Sequence, residues 1–212
     1  MSVTQQILSY SSQPLTHQLL LSILKDYKRP NDKVHTLLHE KVLESVKKGL
    51  YIAGPALDAR RPEPFLLANH ILGPSYVSSD AALFYYGLIP ERVYEISSMT
   101  TKASRMFNNS MGLFSYTRLS LPYYSFGIRQ MELGDEQYAM MATPGKALFD
   151  KVVTTSGLIL RSRKDARDYL LENLRMDEQG LKELNVDAMT GWLEAAPKKS
   201  SLQMIIKVIK EL

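Results

Sequence analysis

The 212-residue chain has no cysteine. That excludes a disulfide framework, a thiolate zinc site, an iron–sulfur cluster and a cysteine nucleophile. Glycine occurs only eleven times and proline ten times, too few for a collagen-like or low-complexity scaffold. No 18 apolar residues run together, so no membrane-spanning helix is expected. The opening MSVTQQILSY carries neither a basic stretch nor an apolar run of signal-peptide length. Together with the missing cysteine this gives a cytoplasmic expectation. Catalytic signatures are missing as well: there is no phosphate-binding glycine–lysine loop, no GxSxG, GxGxxG or HExxH, and no D-x-D pair. Nor is any acid followed by the E-x-K strand of a nuclease. The expectation is a protein with no catalytic residue, no cofactor and no metal of its own.

What is present suits a folded protein: 45% of residues are hydrophobic and 23% charged. The length allows one large domain or two small ones. Net charge is +4, and residues 1–54 carry seven Lys/Arg against four acids, with three of the four histidines. The basic excess therefore sits in the first quarter, a lean toward anionic partners.

From Leu15 to Tyr27 apolar residues recur at helical spacing, and Pro30 is expected to stop that helix. Asn31 then caps a second helix, Asp32 to Lys41, with Val34, Leu37, Leu38 and Lys41 on its inner face. Two β-prone runs, Val42–Val46 and Leu50–Ala53, flank Lys47-Lys48-Gly49, where glycine suits a tight hairpin. Two helices followed by a basic-tipped hairpin is the order of a winged helix-turn-helix over residues 1–55. In that reading Lys33, Lys47 and Lys48 face phosphates, while His35, Thr36 and His39 face base edges. His35 and His39 also have the i,i+4 spacing of a metal pair, but no third ligand lies near in sequence.

Residues 55–64, with three prolines and two arginines, read as a linker. Residues 65–160 read as a mixed α/β domain: helices at 65–72 and 80–88, a short strand at Tyr76–Val77, and strands in RVYEIS, GLFSYTRL, YYSFGIRQ and EQYAMMA. Asn108-Asn109-Ser110 and Leu133-Gly134-Asp135 read as turns, and Thr143-Pro144 opens a helix. Residues 161–212 read as a helical extension packed on this domain, ending in a stripe of Leu202, Ile205, Ile206, Ile209 and Leu212. Ser97, Ser98, Thr100, Thr101, Lys102 and Arg105 form a polar stretch that no core needs, with Thr100, Thr101, Lys102 and Arg105 the candidates for a second anion or nucleic-acid contact. Lys146 and Asp150, one turn apart, read as a surface ion pair. Tyr116, Tyr123, Tyr124 and Phe126 read as sheet core rather than a base-stacking platform.

Several strings, VKKGLYIAG, LLANHILGPSYVSSDAALFYYGLIPERVYEISSMTTKASRMF, GLFSYTRL, YYSFGI and ATPGKALFD, resemble the AbiEi family of antitoxins from type IV toxin–antitoxin (abortive infection) systems. The resemblance covers about residues 15–175, and where this chain has Gly145 that family more often has Glu. It implies an α+β protein with a winged helix-turn-helix that represses its own operon by binding promoter DNA. It also implies a second domain that counteracts a nucleotidyltransferase toxin encoded nearby, with no stable complex required; no membrane partner is expected, from the lack of a long apolar run. Two rival readings stand beside it: a nuclease with an unrecognised site, and an orphan winged-helix regulator or interaction module.

Overall fold

The computed structural model describes residues 1–212, and the protein is α+β. Its first unit runs α1 (Val3–Ser9), β1 (Leu15–Thr16), α2 (His17–Ile23), α3 (Pro30–His39), β2 (Leu43–Lys47) and β3 (Leu50–Ala53). The three strands form an antiparallel sheet in the order β1-β3-β2. Leu15 and Thr16 extend because they pair with Tyr51 and Leu50, so the expected 15–27 helix is shortened at its start. Thr16 then caps α2, its hydroxyl accepting the Leu19 N–H at 3.2 Å. The expected 15–27 helix also ends early, α2 stopping at Ile23 with Leu24 as its cap, so Pro30 does not end it but opens α3, where its fixed φ suits the first helical position. Arg29, not Asn31, occupies the cap position. Ile7, Leu15, Leu20, Leu24, Val34, Leu37, Leu43 and Ala53 close a small core of their own.

The second unit is built on a six-stranded mixed sheet. It contains α4 (Pro64–Ile71), β4 (Ser75–Val77), α5 (Ser79–Tyr85), β5 (Glu95–Thr100), β6 (Arg105–Asn109), β7 (Gly112–Arg118), β8 (Ile128–Gly134), β9 (Gln137–Ala142) and α6 (Pro144–Thr154). Strand order is β6-β7-β5-β4-β9-β8; β4–β9 and β5–β7 run parallel, the other pairs antiparallel. Short β4 leaves part of β9 unpaired. The Asn69 side chain of α4 fills in for a strand there, accepting the Met140 N–H at 2.6 Å and donating to its carbonyl at 3.3 Å. Two expected turns move. Asn108 and Asn109 lie within β6, and the β8–β9 turn falls on Asp135-Glu136, both at positive φ.

The C-terminal helices are α7 (Arg163–Asp168), which runs into a π turn to Asn173, then α8 (Glu178–Lys182), α9 (Val186–Trp192) and α10 (Lys199–Glu211). Leu202, Ile205, Ile206 and Ile209 are buried as their spacing requires. Lys198 reaches back to the end of α6, donating to the carbonyls of Val152 at 2.9 Å and Thr155 at 2.5 Å. An ammonium there satisfies helix-end acceptors and suits the negative end of the dipole. Gly145, on the first turn of α6, is fixed by packing, since a Cβ would stand 2.7 Å from the Met189 sulfur.

The main core crosses the boundary that the sequence suggests. Its forty buried residues extend from sheet and helices into the first unit through Val46, Leu50 and Ile52. Residues 55–64 are strapped down at several points. Arg61 pairs with Glu44 at 3.0 Å, Arg60 pairs with Asp135, and the Glu63 N–H donates to Gln137 Oε1 at 2.7 Å. The two units are therefore fused along the hairpin rather than joined by a free linker. No helix is long and apolar enough to cross a membrane.

Candidate nucleic-acid interface

Helix α3 buries Val34 and Leu37 and leaves His35, Thr36 and His39 exposed on its other face. Lys33 is half-buried. The Thr36 hydroxyl donates to the Asp32 carbonyl at 3.0 Å, so its methyl is the part most available to a partner. The exposed face also carries Asp32, ion-paired to Arg29 at 3.8 Å, and Glu40.

In the hairpin, Lys48 and Gly49 form the turn, with Gly49 at φ 81°. Only glycine adopts that region without a Cβ penalty. Lys48 is exposed. Lys47 behaves differently. Strand pairing slips between Ser45 and Lys47, and such a bulge re-aims the side chain beside it. The Lys47 ammonium lands on the carbonyl of Ile71 at the C-terminal end of α4. It is a strut between the units, not a free phosphate contact. Asn109 of β6 supports the same junction by donating to the Val46 carbonyl at 3.1 Å.

Burial lowers the Lys47 pKa, and the positive charges of Lys102 and Arg105 lower it further. The junction thus brings Lys47 near the basic residues of the β5–β6 stretch, although these lie far apart in sequence. Lys102 and Arg105 are exposed and Thr101 half-buried. Thr100 is not a surface contact. It is fully buried, its hydroxyl donating to the Pro74 carbonyl at 2.8 Å and accepting the Lys102 N–H at 3.2 Å. Ser98 is buried too, and Ser97 donates to the Ser78 carbonyl at 2.7 Å. The polar stretch is core at its start and surface only from Thr101 onward, because β5 lies inside the sheet while the following loop leaves it.

The Lys146–Asp150 pair also departs from expectation: neither side chain has any solvent exposure, and they meet at 2.7 Å. Asp150 accepts from Tyr123 Oη at 2.9 Å, Tyr76 Oη at 3.0 Å and Ser78 Oγ at 2.7 Å. Lys146 also donates to the Tyr123 carbonyl at 3.1 Å and stands 3.3 Å from the Tyr123 ring centroid. Burial and the Asp150 carboxylate push both phenols up, while burial pulls the Lys146 ammonium down against the opposing pull of Asp150. The i,i+4 spacing is visible in sequence, but the residues that bury the pair come from distant segments. With no opening to solvent, this group joins elements instead of meeting a substrate.

Tyr116 and Tyr123 are core residues, and Tyr124 and Phe126 pack against that core. No three His, Asp or Glu side chains converge as a metal-binding group; His35 and His39 remain a pair. Neither a scan against protein-family models nor a search of curated proteins finds a match for this chain.

Proposed function

We propose that this protein binds duplex DNA through a winged helix-turn-helix head and represses its own promoter, serving also as the antitoxin of a type IV toxin–antitoxin pair. The observation that supports the head is its connectivity. A short strand lies between α1 and α2, and α3 leads into a hairpin whose second strand pairs with both others, in the order β1-β3-β2. In a winged helix that arrangement presents the third helix to the major groove and the hairpin turn to the backbone. His35, Thr36 and His39 then meet base edges. Lys48, Lys102 and Arg105 meet phosphates on the flank, with Lys33 at the helix edge. The antitoxin half rests on the resemblance to the AbiEi family, with a nucleotidyltransferase toxin as functional partner.

Footprinting on the DNA upstream of the gene tests the head: a protected site, lost in a His35→Ala, His39→Ala double variant, supports it. No protection at any protein concentration removes it. Co-expression with the neighbouring toxin gene tests the second half. Rescue of growth supports it, and continued arrest with soluble protein contradicts it.

A further inference from the structure

The chain has 22 acids, yet residues 96–131 contain none, while Lys102, Arg105, Arg118 and Arg129 all fall there. Three of these four cations come together at one end of the six-stranded sheet. β5 and β7 run parallel with Thr100 opposite Arg118, so both strands end on the same side. The Arg118 N–H donates to Ser104 Oγ at 2.9 Å, and the Leu119 N–H to the Thr100 carbonyl at 2.8 Å. Those two bonds tie the loop that carries Lys102 to the end of β7. Across the β6–β7 pair, Arg105 stands opposite Tyr116, and residues two apart on a strand share a face. Arg105 and Arg118 are therefore diagonal neighbours on one face, about 7–8 Å apart at Cα. That face is the one covered by α4, since the Tyr116 hydroxyl donates to the Ala68 carbonyl at 2.6 Å. The Ile71 carbonyl at the end of α4 in turn receives Lys47, so Arg118 lies on the same side of the sheet as the hairpin strut.

Lys102, Arg105 and Arg118 are exposed, and none makes an ion pair. Like charges held this close repel one another, and no carboxylate offsets the repulsion here. Three free cations side by side fit a polyanion whose charges recur along a chain, as phosphates do along a nucleic-acid strand. We infer that Arg118 is a phosphate-binding residue alongside Lys102 and Arg105, so that the second unit itself grips the duplex read by the head. The inference rests on the DNA-binding reading for the identity of the polyanion. Arg129 has no part in it: β8 is the opposite edge of the sheet from β6, and the Arg129 guanidinium stacks 5.4 Å from the Tyr86 ring centroid.

The test is a salt titration of the full chain against two labelled duplexes, its own upstream DNA and one of unrelated sequence, read by fluorescence anisotropy. Arg118→Gln should flatten the slope of log affinity against log salt by about 0.9 on both duplexes. The affinity gap between this variant and wild type should therefore narrow roughly 3.5-fold from about 50 mM to about 200 mM salt. Arg118→Lys keeps the charge and should keep the wild-type slope. Arg129→Gln removes the same charge from the far edge and should leave the slope unchanged. A wild-type slope in Arg118→Gln, with a flattened one in the pair Lys102→Gln, Arg105→Gln, would overturn the inference and leave the DNA-binding reading standing. Equal flattening by Arg129→Gln would also overturn it, since net charge alone would then explain the effect. If wild type binds neither duplex at about 50 mM salt, the DNA-binding reading falls and this inference with it.

Discussion

Lys146 and Asp150 meet at 2.7 Å with no solvent on either side chain, at a point where α6, β4 and the turn holding Tyr123 converge. A buried ion pair contributes little net stability compared with apolar residues of equal volume, but breaking one half leaves an uncompensated charge. Lys146→Met and Asp150→Leu singly should therefore each cost about 3–5 kcal/mol. The double variant should recover only the part of the Asp150→Leu loss that comes from the stranded ammonium, because the Tyr76, Tyr123 and Ser78 hydroxyls still lose their acceptor. Urea unfolding of the three variants checks this. Single variants within about 0.5 kcal/mol of wild type would mean that the pair is not buried as described.

The hairpin turn at Asp135-Glu136 holds two non-glycine residues at φ 47° and 60°. Each L-residue in that region costs about 1–2 kcal/mol, which glycine avoids. Glu136→Gly should raise stability by about 0.5–1 kcal/mol after glycine's greater unfolded-state freedom is counted. A lowered melting temperature would contradict it.

Lys47 and Lys48 are neighbours with different tasks. Lys47→Met removes a charged donor from the Ile71 carbonyl and should cost about 1.5–3 kcal/mol. Lys48→Met, at an exposed turn, should stay within about 0.5 kcal/mol of wild type. Thermal melts of both variants distinguish them; equal melting temperatures would remove Lys47 from the junction.

His70 gives a pH signature. Although His70 stands at an exposed position near the end of α4, partial desolvation of its ring lowers its pKa below the ordinary 6.5, so the unfolded chain takes up a proton slightly before the folded chain does. Stability from this group is full above pH 6.5, falls as pH drops through the window between 6.5 and the lowered folded value, and is level below it. His70→Gln should lose less stability than wild type between about pH 7.5 and about pH 5. An identical loss in both proteins would assign the acid sensitivity elsewhere.

Much of the fold is legible in the sequence because local rules and tertiary packing agree. Gly49 at the hairpin, Pro144 at the start of α6 and the α10 stripe lie where turn, cap and periodicity rules put them. β1 is hidden because two residues cannot display a period. β6 is hidden because Asn108 and Asn109 carry turn chemistry, yet Asn109 uses its side chain on the hairpin. The fused core cannot be seen because Val46, Leu50 and Ile52 satisfy a hairpin pattern whatever they pack against. Thr100 looks like surface because threonine is polar, while its hydroxyl is satisfied inside the sheet. The meeting of Lys47 with Lys102 and Arg105 depends on the β6-β7-β5 sheet order, which no local signal encodes.

On the proposed DNA-binding reading, the hairpin turn and the loop before β6 form one phosphate-binding flank beside α3. A salt titration of binding to the protein's own upstream duplex, read by fluorescence anisotropy, tests this flank. Wild type is compared with Lys48→Gln and with the pair Lys102→Gln, Arg105→Gln, all at exposed positions. Removing one cation that neutralises a phosphate should flatten the slope of log affinity against log salt by about 0.9. The expected result is a change of about one unit for Lys48→Gln and about two for the pair, with affinity for all sequences reduced alike. Slopes and affinities equal to wild type in both variants would contradict the claim.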